Sequence, residues 1–180
     1  MKIVAFGASY SKQSINKKLA GFAASQFEGH TIEVLDLNDY NLPLFTVDVE
    51  KEIGHPDIIG QFIQKLDSAD LIIISMAEHN GSYTAAFKNL FDWTSRVKLN
   101  MFENKKLLLL STSPGARGGE TSLKTATERF PRHGASILDH FSLPNFNDNF
   151  DPVKGILLQE KKTLFEEIIN RIKTDLVQNP

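Results

Sequence analysis

The sequence contains no cysteine. That excludes disulfide staples and thiolate metal sites, so any catalysis has to run without a thiol. Charge of one sign is missing as well: 20 Lys and Arg stand against 22 Asp and Glu, the formal net charge is -2, and the cations are scattered with no basic stripe. Such a surface has no footprint for a polyphosphate backbone, and nucleic acid is not expected as a partner. Long apolar runs are also absent. The opening run at 2–6 is far too short for the apolar part of a secretion signal, and no later run approaches a membrane span. The expectation is a soluble, cytoplasmic protein with no membrane partner. The five histidines, at 30, 55, 79, 133 and 140, share no helix face at ligand spacing, and a metal site is not expected.

What is present fits one compact unit. At 180 residues with 41% hydrophobic content, the chain is long enough for a full-sized core, and a single domain over 1–180 is expected. Five β-rich runs, at 2–6, 31–37, 71–75, 106–111 and 135–141, alternate with helical patterns, which reads as a doubly wound α/β sheet with helices on both faces. The runs at 71–74 and 107–110 are continuously apolar, as central parallel strands covered on both sides should be. Apolar residues at helical spacing mark a first helix from Ile15 to Phe27, a second opened by Pro56 and Asp57, and a third over 83–97. A weaker fourth covers 121–130, and a final one runs over about 159–177 before frayed residues at 178–180. The stretches 38–54 and 143–155 read as irregular, the second as a covering loop. Phe87, Phe91 and Trp93 span more than one face of the third helix, which predicts a partner subunit over one side.

In an open parallel sheet ligands bind beyond the carboxyl ends of the strands, so the segments that follow strands carry the chemistry. After the first strand, Gly7 to Asn16 is dense in hydroxyls and leads into a helix N-terminus. Backbone N–H groups and the positive end of the helix dipole favour an anion there; Ser9, Ser11, Ser14 and Asn16 can donate to a phosphate monoester, and Lys12 adds a charge. The loop carries neither a dinucleotide fingerprint nor a P-loop. Equally open from composition is a Ser14 that only caps the helix amid a solvated turn. After the third strand, Ala77-Glu78-His79-Asn80-Gly81 brings bare backbone near the same end; Asn80-Gly81 also reads as a tight turn, with a hairpin disfavoured because a helix follows. After the fourth, Thr112-Ser113-Pro114-Gly115 opens a Gly-rich segment. Three such loops at one end of a sheet point to a planar, phosphate-bearing ligand.

The first loop, with Ser9, Lys12, Ser14 and Asn16, and the second, with Glu78, Asn80, Gly81, Ser82, Lys88, Asn89, Asp92 and Trp93, resemble the motifs of the NADPH-dependent FMN reductase family. Ser113-Pro114-Gly115 with Gly118-Gly119 resembles the family's Gly-rich segment, and the likeness covers nearly the whole chain. The departures are Ser11 for the usual Arg, Ala77 for Pro, His79 for Tyr and Thr84 for Pro. The resemblance implies a flavodoxin-like five-stranded parallel sheet of order 2-1-3-4-5. It also implies non-covalent FMN, reduced by NADPH or NADH as co-substrate, that hands electrons to a small acceptor such as a quinone, a flavin or an azo compound, in a homodimer or homotetramer. On this likeness the cofactor-binding set is Ser9, Ser11, Lys12, Ser14, Ile15 and Asn16, then Ala77, Glu78, His79, Asn80 and Gly81, then Thr112, Ser113 and Gly115. No side chain is assigned a catalytic proton transfer, because the flavin carries that chemistry. Glu78 and Asp92 read as helix N-terminal charges and subunit-interface salt bridges. The alternatives are a flavodoxin-type electron carrier and a flavin-binding regulatory protein; a receiver-type signalling domain would need acidic residues where Gly7-Ala8-Ser9 and Ser75 stand.

Overall fold

The computed structural model describes residues 1–178, so the last two positions of the expected frayed end lie outside the described residues. Five strands, β1 (Lys2–Gly7), β2 (Thr31–Val34), β3 (Leu71–Met76), β6 (Lys105–Thr112) and β7 (Ala135–Leu143), form one parallel sheet in the order β2-β1-β3-β6-β7. This is the expected 2-1-3-4-5 arrangement. The central strands are buried on both faces because period-2 alternation sends successive side chains into two cores. Val4, Phe6, Ile72, Ile74, Leu107 and Leu109 pack beneath α3 (Asp57–Asp67), α4 (Ala85–Val97) and α5 (Glu120–Arg129). Their neighbours Ile3, Ala5, Leu71, Ile73, Leu108 and Leu110 pack beneath α1 (Ile15–Ser25) and α7 (Gln159–Gln178).

The structure corrects several boundaries, each for a local reason. The second strand stops at Val34 because Asp36 turns the chain, accepting the Asn38 N–H at 2.9 Å and capping a short 3-10 turn at Leu37–Asp39. The stretch 38–54 is not wholly irregular; it holds α2 (Val47–Ile53), started by Thr46, whose hydroxyl accepts from Val49 N at 3.0 Å. A hairpin does form at Asn80-Gly81: both residues have positive φ, 52° and 73°, and they join β4 (Glu78–His79) to β5 (Ser82–Tyr83). The helix that seemed to forbid it begins only at Ala85, after Thr84 takes the cap, which leaves room for two residues in each hairpin strand.

The stretch 143–155 is likewise structured, as α6 (Phe146–Asn149) and a second hairpin of β8 (Phe150–Asp151) and β9 (Gly155–Ile156). Its Phe146, Phe150 and Ile156 are buried with α1 and α7, so it completes the core on that face. The aromatic argument for a partner over α4 also falls. Phe87 and Phe91 lie in the core with Phe130, and Trp93 is buried under Phe45, Ile59 and Ile63 of the same chain.

Candidate functional site

The first loop is set by a close crossing. A Cβ on Gly7, the last residue of β1, would lie 2.3 Å from Lys17 N and 2.7 Å from Asn16 C, so only glycine lets the first turn of α1 sit directly over the strand end. The loop between them is then folded by its own serines. Ser9 Oγ accepts from Ser11 N at 3.1 Å, Ser11 Oγ from Gln13 N at 3.3 Å, and Ser14 Oγ from Lys17 N at 3.1 Å. Each hydroxyl has thus accepted one backbone N–H and keeps its O–H hydrogen to donate. Ser14 is the helix cap, as the plainer reading of the sequence has it, and it remains a donor while capping.

These hydroxyls line an open cleft of about 320 Å³, which Gln13, Ile15 and Asn16 share. As the first two residues of α1, Ile15 and Asn16 have N–H groups that no earlier turn of the helix can satisfy. Ala77, Glu78 and His79 form a second wall and Thr112, Ser113 and Pro114 a third, so the carboxyl ends of β1, β3 and β6 meet in one cleft. Its donors outnumber its acids: the first loop contributes no carboxylate to the lining, and Glu78 is the acid that does. A concave site of short donors over a helix N-terminus suits a phosphate monoester, and the residues present fit the phosphate end of FMN.

Glu78 Oε2 accepts from Ser122 N at 3.0 Å. The N-cap of α5 is Gly119, which has no side chain to offer, and Glu78 supplies the missing cap from 44 residues away. Its reading as a helix-terminal charge is thereby met. Asp92 forms an ion pair with Lys88 one turn away, at 2.7 Å. Lys17 donates to Asp36 at 2.6 Å, and this contact, followed by the Asn38 bonds, lowers the Asp36 carboxyl to about 2. Burial pushes Tyr10 above the ordinary phenol range, and its hydroxyl donates to Tyr40 O at 2.8 Å.

Four of the expected binding residues stand apart from the cleft lining. Lys12, Asn80, Gly81 and Gly115 are all exposed: Lys12 in the first loop, Asn80 and Gly81 at the hairpin turn, Gly115 on the Gly-rich loop. Gln13 and Pro114 line the cleft without having been singled out; both sit inside loops whose composition had marked them. The motif residues Asn89 and Trp93 work elsewhere. Asn89 Oδ1 accepts from Phe45 N at 2.8 Å, and Trp93 Nε1 donates to Pro43 O at 2.8 Å, pinning the segment before α2 onto α4. Among the described residues, no cluster of three or more His, Asp or Glu side chains could hold a metal ion, and no helix is long and apolar enough to cross a membrane.

Comparison with known proteins finds relatives of the chain in sequence and in fold. A quinone reductase of Escherichia coli K12 is 32% identical over 143 residues, covering 74% of this chain and 76% of that one. An NADPH:quinone oxidoreductase of Arabidopsis thaliana is 31% identical over 125 residues, covering 67% of this chain and 62% of that one. In fold, the chain is similar to the flavoenzyme NAD(P)H:acceptor oxidoreductase FerB of Paracoccus denitrificans, with a TM-score of 0.73 at 19% identity over 96% of this chain and 97% of that one. The fold is flavodoxin-like. The model of the NADPH-dependent FMN reductases matches residues 1–148, which takes in all three walls of the cleft. The chain is an oxidoreductase that works with FMN and a reduced nicotinamide, and it belongs to the NADPH-dependent FMN reductase family.

Proposed function

We propose that the protein, acting as one domain, holds FMN in this cleft and carries reducing equivalents from NADPH or NADH to a small acceptor such as a quinone, a flavin or an azo compound. The observation that carries the reading is the set of three serines, Ser9, Ser11 and Ser14, each of which accepts a backbone N–H and keeps its own hydrogen for an anion. With the N–H groups of Ile15 and Asn16 they would hold the phosphate, and Lys12 would add long-range attraction from outside the lining. The second and third walls would border the ring, with Ala77 and Thr112 giving apolar and backbone contact and Glu78 held in place by Ser122. FMN, when bound, supplies the hydride-accepting chemistry, and the chain's task is to bind it, orient it and leave one side open. Asn80, Gly81 and Gly115 would act through loop shape.

The protein works in the cytoplasm, where its reductant is produced, and as a homodimer or homotetramer. Exposed Val47 and Ile53 on α2 and Val97 and Leu99 at the end of α4 support the oligomer, since the Glu50–Arg96 pair holds these two elements side by side. The test is oxidation of NADPH by the FMN-loaded protein with a quinone present. Many turnovers per protein are expected; NADPH left unoxidised beside a fully loaded protein would assign it instead to electron carriage.

A further inference from the structure

We propose that Asn16 is a positioning residue, whose side-chain amide joins the first loop to the end of β6 so that the phosphate and ring-edge walls of the cleft are built as one unit. The inference rests on the FMN reading above. Asn16 is the second residue of α1 and is 4% exposed. Its Oδ1 accepts from Ser75 Oγ at 2.7 Å and from Thr112 N at 3.1 Å, and its Nδ2 donates to Thr112 O at 3.1 Å. Both main-chain polar groups of Thr112 are therefore paired with one amide.

The reason lies in the sheet. The β3–β6 ladder ends at Met76↔Ser111, so Thr112 has no partner on its β3 side. Asn16 fills that place as the next strand residue would, and Ser75, buried at the end of β3, steadies the amide from beneath. Thr112 is also tied on its other side, where its hydroxyl donates to Leu143 O at 2.7 Å. The residue that opens the third wall is thus fixed to the residue that closes the first. Oδ1 holds two donors and Nδ2 gives one of its hydrogens to Thr112 O, so the amide is committed to the protein, and Asn16 also presents its main-chain N–H to an anion. Removing the amide would leave Thr112 N–H, Thr112 C=O and the Ser75 hydroxyl buried without partners.

The test uses Asn16→Ala and Ser75→Ala. The second removes a single hydroxyl outside the cleft lining, so it keeps the question decidable if the first does not fold. In the flavin-free protein, amide hydrogen exchange should quicken at 9–16 and at 112–119 together in either variant. In titrations, FMN should weaken about tenfold for Asn16→Ala and less for Ser75→Ala, and riboflavin, which meets only the ring-edge wall, should weaken measurably in both. Exchange that rises only around the first loop, or a loss confined to FMN, would make Asn16 a phosphate ligand and overturn the proposal. Exchange raised evenly through the whole sheet would mark a general structural role and also overturn it. A wild-type protein that binds neither flavin would defeat the FMN reading, while the exchange arm still decides the role of Asn16.

Discussion

The two ends of the sheet have cavities of similar size and opposite chemistry. At the amino ends of the strands, a space of about 390 Å³ is bordered by Asp70, Lys105 and Lys106. The charges there are matched: Asp70 accepts from Lys2 N at 2.7 Å, Lys106 pairs with Asp175 at 3.0 Å, and Lys105 Nζ donates to the carbonyls of Asp67 and Ala69 at 2.6 and 2.9 Å. At the carboxyl ends the cleft is smaller, about 320 Å³, and its donors are serine hydroxyls and helix N–H groups that the chain has not used up. Volume does not distinguish the ends. What distinguishes them is whether the polar groups are already satisfied, and for an anion that leaves one end of the molecule.

The comparison breaks most sharply at Gly7. A methyl there would press on the backbone of Asn16 and Lys17, which cannot rotate away, so Gly7→Ala should cost about 3 kcal/mol and abolish FMN binding. Gly60 is the control, because its Cβ would meet open space within α3; Gly60→Ala should raise stability by about 0.5 to 1 kcal/mol and leave binding intact. Urea unfolding and flavin titration of the two variants would check both halves.

Ser14→Ala is expected next in size. It removes a cap worth about 1 kcal/mol and a charge-assisted phosphate contact worth about 1.5 to 3 kcal/mol, so FMN should weaken about tenfold or more. Riboflavin, without the phosphate, should change far less. At the amino end, Lys105→Met should cost about 1 kcal/mol, because the carbonyls of Asp67 and Ala69 lose their donor, and FMN affinity should not move. A flavin effect there would erase the contrast between the ends.

The smallest effect is one of acidity. Asp36 is held down to about 2 from 3.8, chiefly by its bond from Lys17 in the first turn of α1. A carboxyl lowered in the folded state contributes stability in full above its unfolded value and loses it as pH falls through the folded one, here between about pH 4 and about 2. With the two side chains 36% and 33% exposed, screening limits the pair to at most about 1 kcal/mol. Asp36→Asn should therefore unfold with a shallower loss of stability across that window, measured by urea midpoints at several pH values.

These contrasts also explain what the sequence could and could not convey. Period-2 and helical spacing are local, so strands such as 71–76 and the faces of α1, α3 and α7 were legible, and with them the end of the sheet where a site must lie. The serine loop was legible too, because its contacts span two or three residues. Asn16 with Thr112 and Glu78 with Ser122 were not, since the partners lie 96 and 44 residues apart and neither pair follows a spacing rule. Asn16 was read as a donor to the ligand; it lines the cleft, and its side chain also bonds Ser75 and Thr112. The aromatic face of α4 misled for a similar reason: the segment that covers Trp93 arrives from residues 43–45, and nothing in the helix itself announces a cover from its own chain.

The claim that the free donors at the carboxyl end await a phosphate is met most directly by titrating the wild-type protein with FMN and with riboflavin under one set of conditions. The two ligands share the ring and the ribityl chain and differ in the phosphate alone. The account predicts that FMN binds at least about tenfold more tightly, the contribution of one charge-assisted contact or more. Equal affinities would contradict it, because the serines and the N-terminus of α1 would then be holding nothing that the phosphate supplies.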